Sequence, residues 1–425
     1  MSQRILHNKD LFASVVLLLM TMSLFADMAL PGARQIDEIS PHNRLPCHAI
    51  QLAILGAMFL FVGCNYTLPR VRAILFWELS LIVFLSLSLC HAMFISSREQ
   101  LITFTKFVYW PIGYFFFRMM TDDVRGYTKK LSYLLFALCI FAVWYYVSQA
   151  ELRAEIATRA QSGGLVSSNV GWTLLSVFTV SLCLAAAGNA KGYVVGTAAL
   201  LLVPFSLKRG AILAEAALGI SLLLVGHRLG LLRTAVRRNM RWIVVGVTIW
   251  SIVCISHLPW VVRRFTGLTE DGGSGRSQFY WLLFDRWRQA DLFHWLFGFG
   301  FWSAPDYLES VWLQGIYAHS DVLEMLHDYG MVGILSYLMI LGGLFALCRY
   351  TWRLRDEGLI IAASVFSIFL IAGLICGNVM FRGTVYLMMP LGCMAGKLEK
   401  AHAARGLVHD EPFPVNREVS QYSIV

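Results

Sequence analysis

Apolar stretches of about 20 residues, the length that crosses a bilayer as a helix, recur along the chain with short polar breaks between them. This pattern predicts spans at 11–30, 48–64, 71–96, 101–119, 130–148, 170–188, 191–207, 210–227, 241–258, 329–348, 358–376 and 383–398, twelve in all. Lys106 interrupts the fourth, and the sixth and seventh are tightly paired around Gly188. The first span follows Arg4 and Lys9, as the apolar core of a signal peptide would, but no small-x-small cleavage site follows it. It is therefore read as a membrane helix. The fold class expected is all-α, a polytopic integral membrane protein. Spans 1 to 9 occupy residues 1–258, a non-spanning segment 259–328, spans 10 to 12 residues 329–398, and a polar cytoplasmic tail 399–425. No internal repeat of the kind that builds transporters is visible.

Composition agrees with that picture. Charged residues make up 14% of the 425, against roughly 25% in soluble domains, while hydrophobic residues reach 57%. So much apolar side chain cannot be hidden from water in one soluble chain, which excludes a soluble enzyme, a disordered chain and a disulfide scaffold. The nine cysteines show neither a pairing pattern nor metal spacing and read as small hydrophobes. The net charge of +9 resembles a nucleic-acid signal until its residues are placed. With the N-terminus in the cytoplasm, 21 of the 35 Lys and Arg fall on cytoplasmic segments and 8 on short outer loops. Five more lie in 259–328, and the last is Lys106. Positive charge on short loops orients membrane helices, so both termini are expected in the cytoplasm, 259–328 outside it, and no nucleic acid as partner.

The outer segment 259–328 carries six of the thirteen tryptophans: Trp260, Trp281, Trp287, Trp295, Trp302 and Trp312. From Arg276 onward, aromatic and cationic residues alternate at helical spacing, which predicts a small extracytoplasmic helical domain with a helix lying among lipid headgroups. A plain interfacial anchor is the bland reading of that stretch. Gly272-Gly273-Ser274-Gly275 precedes it, and Phe297-Gly298-Phe299-Gly300-Phe301 follows. Neither follows a strand or opens a nucleotide-binding helix, so no ATP site is expected.

Three features on the outer side are candidates for chemistry. Lys208-Arg209 lies at the turn between spans 7 and 8, Arg276 opens the aromatic helix, and His319 stands before span 10 in Ala318-His319-Ser320-Asp321-Val322-Leu323-Glu324. A lone histidine at such a boundary is, on its own, an interfacial residue. Here, however, the sequence resembles the O-antigen ligase family, whose members share a domain with O-antigen polymerases and some protein O-oligosaccharyltransferases. The matching marks are Arg-x-x-x-Leu from Arg209 to Leu213 and His319 followed by ten residues and Gly330. The Gly-Ser-Gly lead-in to Arg276 and the Leu-Phe-Gly-Phe-Gly turn complete them.

The resemblance implies transfer of a finished glycan from an undecaprenyl-pyrophosphate carrier to an acceptor, lipid A–core oligosaccharide for a ligase, at the periplasmic face of the inner membrane. It further implies inversion at C1 in a single displacement, with membrane lipids as surroundings and no nucleotide consumed. The residues can be weighed against that reaction. A departing diphosphate gathers negative charge, and planar guanidinium groups meet it well. Arg209 and Arg276 are the candidates, with Arg288 a weaker third and Lys106 a source of positive potential. A neutral imidazole suits removal of the acceptor hydroxyl proton, which gives His319 the role of general base, with diphosphate contact as its other possible role. Asp321 and Glu324 are the candidates to orient it, and Glu215, inside span 8, to neutralise Lys208 or Arg209. His294 and His327 read as interfacial.

No cofactor is expected. Asp122-Asp123 falls on the cytoplasmic side, and Asp285, Asp291 and Asp306 lack chelating spacing, so the transfer is expected to be metal-independent. An O-antigen polymerase or a protein O-oligosaccharyltransferase would use the same donor. A carrier-lipid transporter, from another class, would instead place charges along the midplane of several spans.

Overall fold

The computed structural model describes residues 2–29, 45–95, 97–120, 124–151, 153–154, 170–186, 189, 191–230, 259, 262, 276–312, 318–375 and 384–406. Among these, every regular element is helical. Five helices run through the first part of the chain: α1 (Ser2–Ala29), α2 (Leu45–Asn65), α3 (Arg72–Ala92), α4 (Arg98–Met119) and α5 (Val124–Ser148). They are followed by α6 (Val170–Ala186), α7 (Lys191–Leu202) with a 3-10 turn over Val203–Ser206, and α8 (Arg209–Arg228). Three short helices come next: α9 (Arg276–Arg288), α10 (Leu292–Phe297) and α11 (Ser303–Trp312). The chain then forms α12 (Asp321–Leu354), α13 (Gly358–Ile375) and α14 (Thr384–Gly406). The predicted span at 241–258 and the lead-in 272–275 lie outside the described residues.

Among the described residues, five helices are long and apolar enough to cross a membrane: His48–Asn65, Arg72–Ala92, Leu131–Ser148, Arg209–Arg228 and Asp321–Leu354. Shorter apolar helices run over Leu11–Ala26, Val170–Ala185, Lys191–Ser206 and Gly358–Leu374. Large apolar side chains stand on the outside of the bundle, with Phe59 61%, Ile220 62% and Val194 70% exposed. An outer wall of that kind is stable against hydrocarbon and unstable against water. The chain is an α-helical membrane protein.

The helices expected at 101–119 and 383–398 form as α4 and α14, yet they are absent from both apolar sets. The reason is burial. Every residue from Phe107 to Arg118 and from Val385 to Leu391 is enclosed by protein, so these helices are solvated by their neighbours. They lie against each other so closely that a Cβ on Gly392 would stand 2.6 Å from the carbonyl oxygen of Tyr114.

Three contacts set the directions of the central helices. His91 of α3 packs on Tyr329 of α12 with ring centroids 4.5 Å apart, while Trp77 lies against Gly343, so α3 and α12 are antiparallel. Ser221 of α8 meets Ser367 of α13 at 2.6 Å, and Arg228 of α8 lies over the Trp352 ring at 5.3 Å, near where α13 begins. Helices α8 and α13 are therefore antiparallel too. The bundle has one end where α12 begins and α8 begins, and an opposite end where both finish.

The opposite end holds a buried ion pair. Arg118 Nη1 lies 2.7 Å from Glu78 Oε2, with side chains 6% and 0% exposed. The Tyr66 and Tyr114 hydroxyls donate to the same carboxylate at 3.1 and 3.2 Å, and Arg118 Nη2 donates to the Thr67 carbonyl at 2.9 Å. A paired and hydrogen-bonded charge is tolerable inside a bundle; an orphaned one is not. Glu78→Ala should therefore cost about 3–5 kcal/mol, read as a large fall in Tm of the detergent-solubilised protein. An unchanged Tm would show that the pair is dispensable.

Candidate functional site

At the end where α12 begins, the residues around His319 are held by short-range chemistry that the local sequence explains. Ser320 is the N-cap of α12, accepting the Leu323 amide at 3.4 Å. Glu324 Oε1 accepts the Ala318 amide at 3.1 Å. One residue on each side of His319 is thus tied to the first turn of the helix. His319 takes up the difference with a left-handed backbone, φ 54°, and is 7% exposed. A buried, non-glycine residue in that region is sterically costly and is kept only where its surroundings over-determine it. The Tyr280 hydroxyl of α9 adds a further hold, donating to the His319 carbonyl at 3.3 Å.

Helix α9 explains itself by periodicity. Phe279, Leu283 and Trp287 recur every four residues and are buried, with Phe279 and Leu283 packing on Ala304, Leu308 and Ala318. Trp281 and Phe284 occupy the other side. Asp291 caps α10, accepting the His294 amide at 3.0 Å and lying 2.6 Å from its Nδ1. Those two bonds hold the Asp291 carboxyl below the usual range. Asp306 of α11 is shifted upward, first by burial and then by the Asp328 carboxylate, against a bond from Gln100 Nε2 at 3.2 Å.

The glycine-rich turn locks this layer onto α12. The Phe299 amide donates to the His327 carbonyl and the Gly300 amide to the Asp328 carbonyl, both at 3.0 Å. Two glycines permit the crossing. Gly298 (φ 75°) faces the Asp328 carbonyl so closely that a Cβ would collide with it, and a Cβ on Gly330 (φ 65°) would lie 2.5 Å from the Leu296 carbonyl. Gly330 also breaks the regular backbone of α12, which separates the site turn from the long apolar part of the helix.

Asp328 then serves as anchor for α11. Its Oδ2 accepts the Trp302 amide at 2.9 Å, and its Oδ1 accepts the Ala304 amide at 3.0 Å and the Ser303 hydroxyl at 2.9 Å. A carboxylate at a helix N-terminus satisfies amides that the helix itself leaves unpaired. Beside it, Arg286 of α9 lies 3.3 Å from His327 Nε2, its guanidinium between the rings of Phe299 and Tyr307 at 4.1 and 4.2 Å. Burial lowers the Arg286 pKa, and the Tyr307 and Asp328 charges oppose that shift.

The residues expected from the sequence fall as follows. Counting from the Ser221–Ser367 contact with 1.5 Å per residue, Arg209 lies about 18 Å toward the His319 end, and Gly373 about 9 Å. A Cβ on Gly373 would stand 3.4 Å from Asp321 Oδ2, so Arg209 and Asp321 share that end of the bundle. Arg209 is half-buried at the first position of α8, and Arg276 is half-buried at the first of α9. Lys106 is half-buried in α4, next to Phe104 and Phe107, which pack on Phe301.

Five residues named from the sequence have these surroundings. Arg288 pairs with Asp285 at 2.8 Å on the exposed side of α9, its side chain 58% accessible. Glu324 secures the Ala318 amide, and Asp321 faces α13. Glu215 makes no ion pair among the described residues, since six residues of helix turn it away from Arg209. His327 is not interfacial; it is 1% exposed.

Arg286, Asp328, Ser303 and Tyr280 are members not expected from the sequence. Arg286 carried a usable signal, standing three residues after Leu283 and seven after Phe279, on the buried face of α9. Among the described residues, no group of three or more His, Cys, Asp or Glu is arranged to hold a metal ion. No protein-family model matches the chain, and no curated protein matches it.

If the glycine crossing sets the site, Gly330→Ala and Gly298→Ala should each cost at least about 1–3 kcal/mol. Limited proteolysis should then cut within 276–312 in the variants and spare the parent protein. Equal resistance would show that the crossing tolerates a side chain.

Proposed function

We propose that the chain is an O-antigen ligase. It transfers a glycan from undecaprenyl pyrophosphate to lipid A–core oligosaccharide at the periplasmic face of the bacterial inner membrane. The observation that carries this reading is His319, held buried and left-handed at the end of the bundle where Arg209 and the turn before α12 also lie. Such a residue is costly unless something is gained from its placement. The motif pattern from Arg209 to Leu213 and from His319 to Gly330 supplies the rest of the support.

In this reading the chain has twelve spans, both termini in the cytoplasm and 259–328 in the periplasm. Cations at the opposite end of the bundle, among them Arg118, Arg228, Arg349, Arg353, Lys397 and Lys400, support that orientation by the positive-inside rule. The polyprenyl tail lies against apolar helices. The diphosphate rests under Arg209 and Arg276, with positive potential from Lys106.

His319 takes the proton of an acceptor hydroxyl as its oxygen attacks C1 of the donor sugar. The C1–O bond to the diphosphate breaks on the opposite side, with inversion, and the carrier diphosphate leaves with the electron pair. Guanidinium groups placed where that charge develops stabilise the transition state more than the ground state. Glu324 and Ser320 fix the backbone on either side of His319 so that its ring need not search for its position.

Loss of a general base costs typically 10²–10⁴-fold. His319→Ala should therefore lower glycan attachment by about that factor in a strain lacking the native gene, with the protein still inserted; retained attachment would overturn the base role. Arg209→Lys and Arg276→Lys should each reduce transfer by about tenfold or more, because lysine keeps the charge and loses the planar fork. Transfer by purified protein should persist in EDTA, and a loss restored by a divalent cation would refute the metal-free scheme. A null strain should keep long carrier-linked chains and lose them from lipopolysaccharide. A single repeat on lipid A would instead identify a polymerase.

A further inference from the structure

The contact between Arg286 and His327 dictates where the imidazole proton sits. A guanidinium offers only donors. Arg286 Nη1 lies 3.3 Å from His327 Nε2, so Nε2 must present its lone pair and the proton must be on Nδ1. Nδ1 lies 3.1 Å from both Ser303 Oγ and Asp328 Oδ1, each able to accept. Ser303 in turn donates to Asp328 Oδ1 at 2.9 Å. The direction of every hydrogen bond is thereby set: Arg286 to His327, His327 to Ser303 and Asp328, Ser303 to Asp328. The same two rings that flank the guanidinium also flank the imidazole, with Phe299 5.0 Å and Tyr307 5.9 Å from it.

The cluster joins α9, the glycine turn, α11 and α12, and α9 reaches His319 as well. Tyr280, six residues before Arg286 on that helix, holds the His319 carbonyl. Helix α9 is thus fixed at one end to His319 and at the other to His327. We propose that Arg286 is a positioning residue for His319, and that its hold requires an unprotonated His327. The role assigned to His319 above is the premise for its functional consequence; the clamp itself stands on the geometry alone.

Protonation would place an Nε2–H and a positive charge against a guanidinium that can neither accept nor lose a proton. The other groups around the ring are few. On α12, Asp328 touches it, and Glu324 and Asp321 lie one and two turns earlier. Asp306 of α11 and His91 of α3 act on Asp328, Tyr307 of α11 stacks on the ring, and His294 of α10 stacks on Phe299. The lone pairs of Asp328 receive the Trp302 and Ala304 amides and the Ser303 hydroxyl. A proton on Nε2 would break the pairing of Arg286 with His327, and α9 would then be held at that end by Trp287, which donates to the Trp295 carbonyl at 3.0 Å.

Amide hydrogen exchange on the full-length protein in detergent tests this at about pH 7.5 and about pH 5, after correction for intrinsic exchange rates. Protection within 276–312 should fall by about tenfold or more at the lower pH, while residues 331–354 keep theirs. His327→Gln, whose side-chain oxygen accepts from Arg286 and does not titrate, should remove the pH step. Arg286→Lys should lower protection at both pH values and flatten the step. Equal protection of the parent protein at both pH values overturns the proposal without need of any variant. So does an unchanged step in His327→Gln. The pH profile of glycan transfer separates the premise from the clamp. An exchange step with unimpaired transfer in His319→Ala leaves the clamp standing and removes the role of His319. No exchange step, with transfer lost in His319→Ala, does the reverse.

Discussion

A backbone crossing with no room for side chains governs the His319 end of this protein. Where residues 298–300 pass over 327–328, amides and carbonyls bond across the gap, and only hydrogen fits at Gly298 and Gly330. From that approach follow the position of Asp328 at the start of α11, the closure of Phe299 and Tyr307 around Arg286, and the line of α9 along the His319 turn. Backbone hydrogen bonds in a low-dielectric setting are well suited to this task, since leaving them unmade is expensive.

The two ends of the bundle solve the problem of buried charge in different ways. At the end opposite His319, Glu78 and Arg118 neutralise each other and two tyrosines complete the shell. Near His319, two carboxyl groups, Glu324 and Asp328, are instead answered by backbone amides, at Ala318 and at Trp302 and Ala304 respectively. Amides satisfy a carboxylate without cancelling its charge.

Most helix positions could be read directly from hydropathy, because breaks such as Asn65 to Arg72 or Gly188 to Lys191 are where polar backbone must leave an apolar layer. Residue environments were less accessible. Helical phase separates two arginines of α9, since Arg286 shares the face of Phe279 and Leu283 whereas Arg288 points to solvent. Six residues place Glu215 and Arg209 on different sides of α8, and Lys208 lies two turns from Glu215, at the N-cap. His327 gave no local warning. Its burial depends on rings at 299 and 307, which arrive through a turn that no short-range pattern encodes. His319 was visible as a candidate, but its left-handed backbone results from ties at Ala318 and Ser320 that only the folded turn reveals.

The enclosure of α4 and α14 bears on how the chain is made. The two helices are each other's neighbours, yet α14 begins at Thr384, after every other helix described, and α4 ends at Met119. During synthesis the face of α4 that meets α14 must wait uncovered until residues beyond Thr384 have left the ribosome. Its polar content makes solitary residence in lipid unfavourable, and Arg118 is acceptable there only once Glu78 has closed on it. The centre of this bundle is therefore assembled late, and a nascent chain stalled before α14 would present α4 to whatever quality-control machinery surveys the membrane.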